Sequence, residues 1–310
     1  MQNSLTIIKK NQLTSIQDLG RPHALALGFS TGGAADERAL LAGNQALKNA
    51  PNAAAIEVCF GQFTLKANCA CTLIITGADC KATVNDKPIK HWQIVNLKSD
   101  DILQLNSPKN GVYSYVCIAG GLQNQAFLAS RSSINIKGLT IQNKDDILPL
   151  ANHCYREVAK LTDEQRQQAS AYLQQQNILT LRFIPHPLWQ NLTLTQQNAI
   201  CQNVYSISPQ SNRMGYRLLG NKINLHNAAS QLSKPVGYGT IQVPSSGEPI
   251  ILMKDHQTIG GYATLGNVIK PDLFTLAQQP IQQKIQFLPI SLEQAQQQLI
   301  SFQQKFINCQ

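Results

Sequence analysis

The sequence DDILQL at residues 100–105 returns as DDILPL at residues 145–150, and this repeat is the clearest indication of the fold. In each copy two acidic residues, which suit a turn, precede a segment that alternates between apolar and polar side chains. Short alternating strands introduced by turns are typical of antiparallel β-structure. The repeat therefore predicts closed β-barrel hairpins rather than a parallel sheet, and a chain that is mainly β.

The rest of the first half agrees with this prediction. Runs rich in β-branched or aromatic residues predict short strands. They occupy residues 5–8, 73–75, 94–97 and 113–116. Residues 83–89 predict a hairpin whose turn is supplied by Asn85 and Asp86. One helix is expected at residues 36–47, with Asp36 as its N-cap.

A second helix separates the two halves of the chain. Thr162 and Gln165 have the spacing of a capping box, and the helix is expected to run to about Gln176. Strand patterns then start again at residues 179–184. Two regions of β-structure on either side of a helix predict two subdomains.

The second half has the same character and ends in a helix. Residues 239–243 and 249–253 predict another hairpin. Ser291 and Gln294 form a second capping box, and an apolar stripe follows at helical spacing. We expect this stripe to dock on the second β subdomain.

Composition excludes several classes of protein. Of 310 residues, 43% are hydrophobic and only 14% are charged, so a disordered chain is not expected. The net charge is +9, but the basic residues are scattered, and no run is longer than Lys9 and Lys10. A nucleic-acid surface would need clustered Lys and Arg with aromatic residues between them. We expect a basic soluble protein with a modest attraction for anionic substrates.

The cysteines and the apolar runs predict a cytoplasmic protein. None of the eight cysteines belongs to a CxxC pair, although Cys69 and Cys71 lie close together, so we expect reduced and mostly buried thiols. The first ten residues lack the pattern of a signal segment. The longest apolar run is far below the roughly 18 residues that a membrane span needs. Neither a nucleic-acid partner nor a membrane partner is expected.

Polar residues and glycines crowd into the segment at residues 15–36. Asp18 and Arg21 flank Gly20 in a tight loop, and Gly32 and Gly33 follow. Such a pair can form a structural clamp, or it can orient an arginine that binds an anion. Both interpretations fit the residue types.

Two further segments have the composition of binding loops. In SNRMGYRL at residues 211–218, Arg213 and Arg217 lie on either side of Tyr216. The two arginines can donate to a carboxylate or a phosphate beside an aromatic wall, or they can be ordinary surface charge. In KDHQTIGGY at residues 254–262, polar residues and two glycines follow an apolar strand directly. Backbone amides beside paired glycines can approach a ligand closely, although a long glycine-rich turn has the same composition.

Common catalytic templates are missing from the sequence. It contains no GxxxxGK[ST] phosphate loop and no GxSxG nucleophile elbow. His153, His186, His226 and His256 are isolated from one another and from metal-ligand partners, so no metal site is predicted.

The same three segments carry a resemblance to a known family. Residues 15–21 (SIQDLGR) with Asp36, Asn44 and Glu57 are similar to its opening signature. SNRMGYRL at residues 211–218 is similar to its central motif, and residues 239–262 (GTIQVPSSGEPIILMKDHQTIGGY) are similar to its third. The chain resembles the family that holds the C-type subunit of bacterial ATP-dependent 5-oxoprolinase, the kinase-inhibitor antagonist KipA and the carboxyltransferase part of urea carboxylase.

This resemblance implies a fold and a division of the chain. Family members consist of two cyclophilin-like β-barrel subdomains. We therefore expect a first subdomain at 1–160, a helical connection at 161–178 and a second subdomain with the C-terminal helix at 179–310. One departure concerns the segment after Ser130, Arg131 and Ser132, where residues 134–138 are shorter and lack the glycines typical of the family.

The resemblance also implies an activity. A free-standing chain of this length is similar to the C-type subunit, which acts with the A-type and B-type subunits to open 5-oxo-L-proline to L-glutamate at the expense of ATP. The expected cofactor is ATP with Mg²⁺, shared with a partner subunit, and the expected substrate is a small lactam or amide. The alternatives are the carboxyltransferase component of a biotin-dependent urea or amide carboxylase, for which biotin would be the cofactor, and a non-enzymatic regulator similar to KipA.

Roles for individual residues follow from the three motifs. The predicted catalytic residues are Asp18, Arg21, Asp255, Gln257 and Thr258, with Asp18 orienting Arg21. The predicted substrate-binding residues are Arg213, Tyr216, Arg217, Gln242, Gly260 and Gly261. Arg213 and Arg217 are expected to contact anionic groups, and Gln257 and Thr258 to hydrogen-bond the substrate amide.

Overall fold

The computed structural model of the chain describes residues 3–134, 144–225 and 232–306. Most of the shortened segment at 134–138 and His226 therefore lie outside the described residues. The chain divides into two compact units. Unit 1 consists of Met1–Pro22 and Gly32–Gln174, and unit 2 consists of His23–Thr31 and Gln175–Gln310.

Unit 1 is built mainly from short strands. Its strands are β1 Ser4–Lys9, β2 Ser15–Gln17, β3 Ala55–Cys59, β4 Phe63–Ala67, β5 Cys71–Gly77, β6 Thr83–Val84, β7 Lys87–Pro88, β8 Ile94–Leu97, β9 Ile102–Leu105, β10 Tyr113–Ile118 and β11 Ile147–Pro149. They form a six-stranded sheet in the order β11-β1-β4-β9-β6-β7 and a five-stranded sheet in the order β2-β3-β10-β5-β8. Apolar residues from both sheets belong to one hydrophobic core. Burial of this shared core is the main force that holds the two sheets together.

The repeated DDIL stretch gives two strands of the same sheet. β9 pairs with β4 and β6, whereas β11 pairs with β1. The predicted hairpin at residues 83–89 is confirmed as β6 and β7, which pair antiparallel. Asn85 and Asp86 both have positive φ, 48° and 63°, as a two-residue hairpin turn requires.

The first predicted helix is confirmed, and the second is shorter than predicted. α1 spans Glu37–Ala46, and the side chain of Asp36 accepts a hydrogen bond from the Ala39 amide. α2 spans Asp163–Ser170 and begins with the predicted capping box, but it does not reach Gln176. The hydroxyl of Ser170 donates to the carbonyl of Arg166 at 2.9 Å, and α2 has no buried residue. Tertiary packing supplies most of the stability of a helix, and α2 has no buried face to pack. The hydrogen bond from Ser170 to a carbonyl of the preceding turn also disfavours further helix.

Unit 2 contains a closed barrel. The strands of this unit are β12 Leu179–Pro185, β13 Tyr205–Ile207, β14 Gly215–Leu219, β15 Lys234–Pro235, β16 Thr240–Val243, β17 Ile250–Leu252, β18 Ile259–Gly260, β19 Ala263–Val268 and β20 Lys284–Pro289. Seven of them close in the order β12-β19-β16-β17-β14-β13-β20. The barrel closes because β12 and β20 pair in parallel, with Leu179 opposite Ile285. β15 and β18 form a separate two-stranded ribbon.

Four helices accompany the barrel. They are α3 Pro187–Gln190, α4 Leu194–Gln202, α5 Lys270–Ala277 and α6 Leu292–Phe306. The predicted capping box of α6 is present, since the amide of Gln294 donates to the hydroxyl of Ser291 at 3.2 Å and the amide of Ser291 donates to the side chain of Gln294 at 3.0 Å. Phe302 of α6 lies 5.3 Å from Phe274 of α5, measured between ring centroids, so part of the apolar stripe is buried as expected.

The predicted mainly β fold class is therefore confirmed. Among the helices of the described residues, none is long and apolar enough to cross a membrane. Most of the described cysteines are buried, as predicted, namely Cys59, Cys71, Cys80, Cys117 and Cys154.

Candidate functional site

The carboxylate of Asp18 anchors a distant segment of unit 1. Its Oδ1 accepts from the hydroxyl of Ser130 at 2.7 Å and from the hydroxyl of Ser132 at 2.6 Å. Its Oδ2 accepts from the amide of Arg131 at 2.7 Å, and the amide of Gly20 donates to Oδ1 at 2.8 Å. Asp18 is only 2% exposed. The residue therefore positions the backbone of residues 130–132 against the loop that contains Arg21.

Arg21 is also buried and contacts the same segment. It is 1% exposed and donates from Nη2 to the carbonyl of Ser132. A Cβ atom added at Gly32 would lie 2.7 Å from Nη1 of Arg21, and Gly32 has a φ of 60°. Both the backbone angle and the close guanidinium therefore favour glycine at this position. The predicted roles of Asp18 and Arg21 stay predictions, but both residues hold residues 130–132 in place.

A second buried network of unit 1 surrounds the start of α1. The hydroxyl of Tyr115 donates to Oε2 of Glu57 at 2.8 Å and accepts from the amide of Asp36 at 2.8 Å. The amide of Ala35 also donates to Oε2 of Glu57, at 2.9 Å, and the hydroxyl of Tyr172 donates to Oδ2 of Asp36. Burial, with the nearby Glu57 and Asp36 carboxylates, raises the pKa of Tyr115 well above its ordinary value. Asp36 and Glu57, noted in the opening motif, thus lie in one network.

An ion pair joins the second and third motifs in unit 2. Nε of Arg213 donates to Oδ2 of Asp255 at 2.7 Å, and Nη2 donates to Oδ1 at 3.1 Å. The backbone reinforces the pair, because the amide of Asp255 donates to the carbonyl of Arg213 at 2.8 Å. The side chains of Arg213 and Asp255 are 19% and 36% exposed. A bidentate pair of this kind fixes the plane of a guanidinium that remains accessible from solvent.

A buried amide contacts Gln257, which is two positions after Asp255 in the chain. Gln242 is 1% exposed, and its Oε1 accepts from Nε2 of Gln257 at 3.3 Å. Among the described residues, Nε2 of Gln242 has no hydrogen-bond partner. A Cβ added at Gly260 would lie 2.6 Å from that nitrogen. Three predicted site residues, Gln242, Gln257 and Gly260, are therefore in contact with one another.

Thr264 was not predicted from the sequence. It lies opposite Gln242 in the β16–β19 pairing, so the two side chains project from the same face of the sheet. Thr264 is 5% exposed, and its hydroxyl has no hydrogen-bond partner within the described part of the chain. Buried polar atoms without partners are rare in proteins and call for an explanation, which a water or a ligand can supply. Thr264 lies beside Gln242 only because of the strand register, which cannot be read from the sequence.

Lys254 and His256 are two further polar residues that were not predicted as site residues. Lys254 is 5% exposed, and its ammonium lies 4.6 Å from the ring centroid of Tyr238. His256 is 1% exposed, and its Nδ1 lies 2.7 Å from the carbonyl oxygen of Gln257, which fixes the hydrogen on Nδ1. Burial lowers the pKa of His256, against the effect of this hydrogen bond. The sequence offered one indication of both residues, which is that they closely follow the apolar strand β17.

The remaining predicted site residues have different surroundings. Tyr216 is buried, and its hydroxyl donates to the carbonyl of Ala277 at 3.2 Å, so it serves as packing for the barrel. The side chain of Arg217 is exposed on β14. The carbonyl of Thr258 accepts from the amide of Val236 at 3.2 Å, and Gly261 is half-buried next to β18.

Unit 2 contains donors that suit a small polar molecule with negative charge. It offers an oriented guanidinium, a buried amide with an unsatisfied donor and a buried hydroxyl. These are the donors that carboxylate, phosphate and amide oxygens require. In the described ranges no group of three His, Cys, Asp or Glu side chains is placed to hold a metal ion. A Mg²⁺ ion commonly arrives with nucleotide phosphates and only one or two protein ligands, so no residue is assigned to it.

Comparisons with known proteins identify the family. Residues 27–289 match the profile of the carboxyltransferase domain, subdomain A and B. The chain is 33% identical over 296 residues to the C-type subunit of 5-oxoprolinase from Escherichia coli (strain K12), with 94% of this chain and 93% of that protein covered. It is also 33% identical over 297 residues to the C-type 5-oxoprolinase subunit of Haemophilus influenzae, with the same coverage of 94% and 93%.

A solved structure supports the same assignment at the level of the fold. The urea amidolyase of K. lactis superposes with a TM-score of 0.88 at 20% identity, and the match covers 99% of this chain and 20% of that chain. This chain thus corresponds to about one fifth of the length of that enzyme. The resemblance predicted from the three motifs is confirmed, and the chain belongs to the carboxyltransferase-domain family with subdomains A and B.

Proposed function

We propose that this chain is the C-type subunit of an ATP-dependent 5-oxoprolinase, which opens 5-oxo-L-proline to L-glutamate together with subunits of the A and B types. The observation that carries the proposal is the 33% identity to two C-type 5-oxoprolinase subunits, over nearly the whole length of both proteins in each comparison. We further propose that the complex acts as a cyclic amide hydrolase in the cytoplasm.

The chemistry of the proposed reaction explains why such a protein needs anion-binding groups. A lactam carbonyl is a poor electrophile, so we propose that the γ-phosphoryl group of ATP is transferred to its oxygen, with ADP as the leaving group and loss of the lactam proton. Water then attacks the activated carbon, and the carbon–nitrogen bond breaks as the nitrogen takes up protons, which leaves the amine of an acyl phosphate. A second water hydrolyses this acyl phosphate to the carboxylate of glutamate, and phosphate leaves. Cations stabilise the phosphoryl charge in such a transfer.

The arginine of the ion pair fits the anionic part of this substrate. Arg213 is held by two hydrogen bonds to Asp255 and remains 19% exposed. A guanidinium whose plane is already fixed loses little conformational freedom when it binds a carboxylate or a phosphate. We assign Arg213 to the anionic group, Asp255 to the orientation of Arg213, and the exposed Arg217 to a further contact with that group.

The buried amide fits the lactam. Nε2 of Gln242 can donate to a carbonyl oxygen, and the hydrogen bond from Gln257 to Oε1 fixes which end of the amide faces Gly260. Thr258 and Gly261 flank β18, where the lactam nitrogen would need an acceptor such as a backbone carbonyl. Asp18 and Arg21 act in this proposal by positioning residues 130–132.

ATP with Mg²⁺ is the proposed co-substrate, shared with a partner subunit. The sequence contains no known phosphate loop, and the described residues offer no cluster of metal ligands. These observations favour a nucleotide site to which a partner of the A or B type contributes.

A second candidate function is carboxyl transfer from carboxybiotin to urea or another small amide. The family profile and the superposition on K. lactis urea amidolyase favour it. The same amide and arginine would then bind the amide acceptor. Biotin and a biotin carboxylase would have to come from partner proteins, since no Ala-Met-Lys-Met biotinylation motif occurs in the chain.

One reconstitution experiment separates these functions. The purified chain is combined with the A-type and B-type proteins of the same organism, and ATP hydrolysis is measured with and without 5-oxoproline. Hydrolysis that requires 5-oxoproline and this chain, with glutamate formed, supports the proposal. Biotin-dependent carboxylation of an amide would support the second candidate instead, and binding of partner proteins without turnover would indicate a regulator similar to KipA.

A further inference from the structure

Two cysteines of unit 1 lie side by side although they are far apart in the chain. Sγ of Cys69 and Sγ of Cys154 are 3.8 Å apart, and the residues are 85 positions apart. Cys69 lies between β4 and β5, whereas Cys154 follows β11. Neither residue belongs to the candidate site, and both lie in unit 1.

Hydrogen bonds hold the two segments together around the thiols. The amide of Thr72 donates to the carbonyl of Cys154 at 2.8 Å, and the amide of Arg156 donates to the hydroxyl of Thr72 at 2.9 Å. The thiol of Cys154 donates to the carbonyl of Ala70 at 3.5 Å. Backbones fixed at this distance keep the two thiols in contact in the native state.

The two thiols differ in their access to solvent. Cys154 is 2% exposed, whereas Cys69 is half-buried. A small oxidant can therefore reach Cys69 while Cys154 stays shielded beside it. A half-exposed thiol next to a second thiol is the arrangement in which oxidation ends in a disulfide rather than in higher oxides.

We propose that Cys69 and Cys154 are an oxidative modification site, at which a hydroperoxide converts the two thiols into a reversible disulfide. The Cys69 thiolate attacks the peroxide oxygen, the oxygen–oxygen bond breaks, and a sulfenic acid forms with release of water or an alcohol. Cys154 then attacks the sulfur of Cys69, and a second water leaves with the sulfenic oxygen. Two thiols are oxidised and one peroxide is reduced. A bond length near 2.0 Å requires the sulfurs to move together by roughly 1.8 Å, which small side-chain rotations and a shift of the turn supply.

The surroundings make this reaction slow rather than catalytic. Burial raises the pKa of the Cys154 thiol to about 11, so the thiolate that must attack the sulfenic acid of Cys69 is scarce near neutral pH. Cys71, which is fully buried nearby, has its pKa raised to about 12 by burial and is protected in the same way. The pair is therefore expected to respond to sustained exposure to peroxide, over minutes to hours, and not to brief pulses.

The test uses the full chain treated with hydrogen peroxide under native conditions and then alkylated. Before alkylation we expect an intact mass lower by two hydrogen atoms. After alkylation we expect a cross-linked peptide that joins Cys69 to Cys154 and two fewer alkylated thiols than the eight cysteines of the sequence. Dithiothreitol should restore the original mass. Cys69→Ser and Cys154→Ser should each abolish the cross-link, whereas Cys201→Ser in unit 2 should retain it.

Three outcomes would overturn the proposal. One is oxidation of Cys69 to the sulfinic acid in the wild-type chain without any cross-link. Another is a cross-link that involves Cys71 or Cys309 in place of Cys154. The third is that Cys69 and Cys154 stay unmodified after hours of exposure while the half-buried Cys201 is oxidised. Circular dichroism of both serine variants, compared with the wild type, confirms that the loss of the cross-link does not reflect unfolding.

Discussion

Replacement of Asp18 by asparagine should destabilise unit 1 strongly, although the two side chains have almost the same shape. The hydroxyl of Ser130 accepts a hydrogen bond from the amide of Ser132, and the hydroxyl of Ser132 accepts one from the amide of Asp18. Each hydroxyl therefore donates its own proton to Oδ1 of Asp18. The amide of Arg131 donates to Oδ2. Asparagine keeps one oxygen acceptor but turns the other position into a donor that faces the Arg131 amide.

The magnitude follows from these bonds. An unsatisfied buried donor costs about 1–3 kcal/mol, and hydrogen bonds to a charged acceptor exceed neutral ones by about 1 kcal/mol each. Because such terms are not additive, we expect a total loss of about 2–4 kcal/mol in the free energy of unfolding. For a unit of this size each kcal/mol corresponds to about 2–4 °C, so the melting temperature should fall by about 4–16 °C.

Thermal unfolding followed by circular dichroism provides the measurement for Asp18→Asn. Asp86→Asn is the matched control, since Asp86 is exposed in the hairpin turn and asparagine tolerates its positive φ. The control should melt within about 1 °C of the wild type. If Asp18→Asn melts with the control and still loses activity, Asp18 acts in the chemistry, and the positioning role argued from its hydrogen bonds is wrong.

Three further predictions concern unit 2. Gln242→Leu removes a buried donor that has no partner in the described chain, but it also removes the acceptor of the Gln257 amide. The two effects oppose each other, so the melting temperature should change by only a few degrees while the KM for 5-oxoproline rises at least about tenfold. An unchanged KM would exclude the binding role. Gly260→Ala should displace the Gln242 amide and raise KM in the same way, whereas Gly237→Ala, whose added Cβ meets no atom within 4 Å, should behave as the wild type in steady-state assays. Burial lowers the pKa of His256 below the ordinary value of about 6.5, so the unfolded chain binds the proton more readily. The stability that comes from the neutral ring is therefore fully present above about pH 6.5, and it is lost as the pH falls below that value and through the lower pKa of the folded state. His256→Asn should therefore reduce the drop in melting temperature between about pH 7.5 and about pH 5.5, and an equal drop in both proteins would contradict the assignment.

Local features of the fold were predictable because they depend on neighbouring residues. The Asp36 cap, the turn at Asn85 and Asp86, and the capping boxes at Thr162 and Ser291 all involve residues at most three positions apart. Their physical cause is contained in a short window of sequence. The end of α2 was not predictable from helical pattern alone, because no buried face was available to extend it.

The partners of the candidate site residues could not be predicted, since they come from distant parts of the chain. Asp18 and Ser132 are 114 positions apart, and Arg213 and Asp255 are 42 positions apart. The motifs indicated that Asp18, Arg213 and Asp255 matter, but tertiary packing decides which of them bind each other. Thr264 carried no signal at all, because its place beside Gln242 depends on a strand register that contains a bulge.

The activity of Arg213→Ala in the reconstituted complex is the decisive test of whether the oriented guanidinium of unit 2 receives the anionic substrate. Lys284→Ala is the matched control, since it removes one positive charge from an exposed position on β20. We expect that Arg213→Ala folds, keeps its partners and loses at least about 100-fold in kcat/KM for glutamate formation from 5-oxoproline, while the Lys284 variant keeps wild-type turnover. Turnover of Arg213→Ala within about twofold of the wild type, in a complex of the same composition, would show that this guanidinium does not bind the substrate.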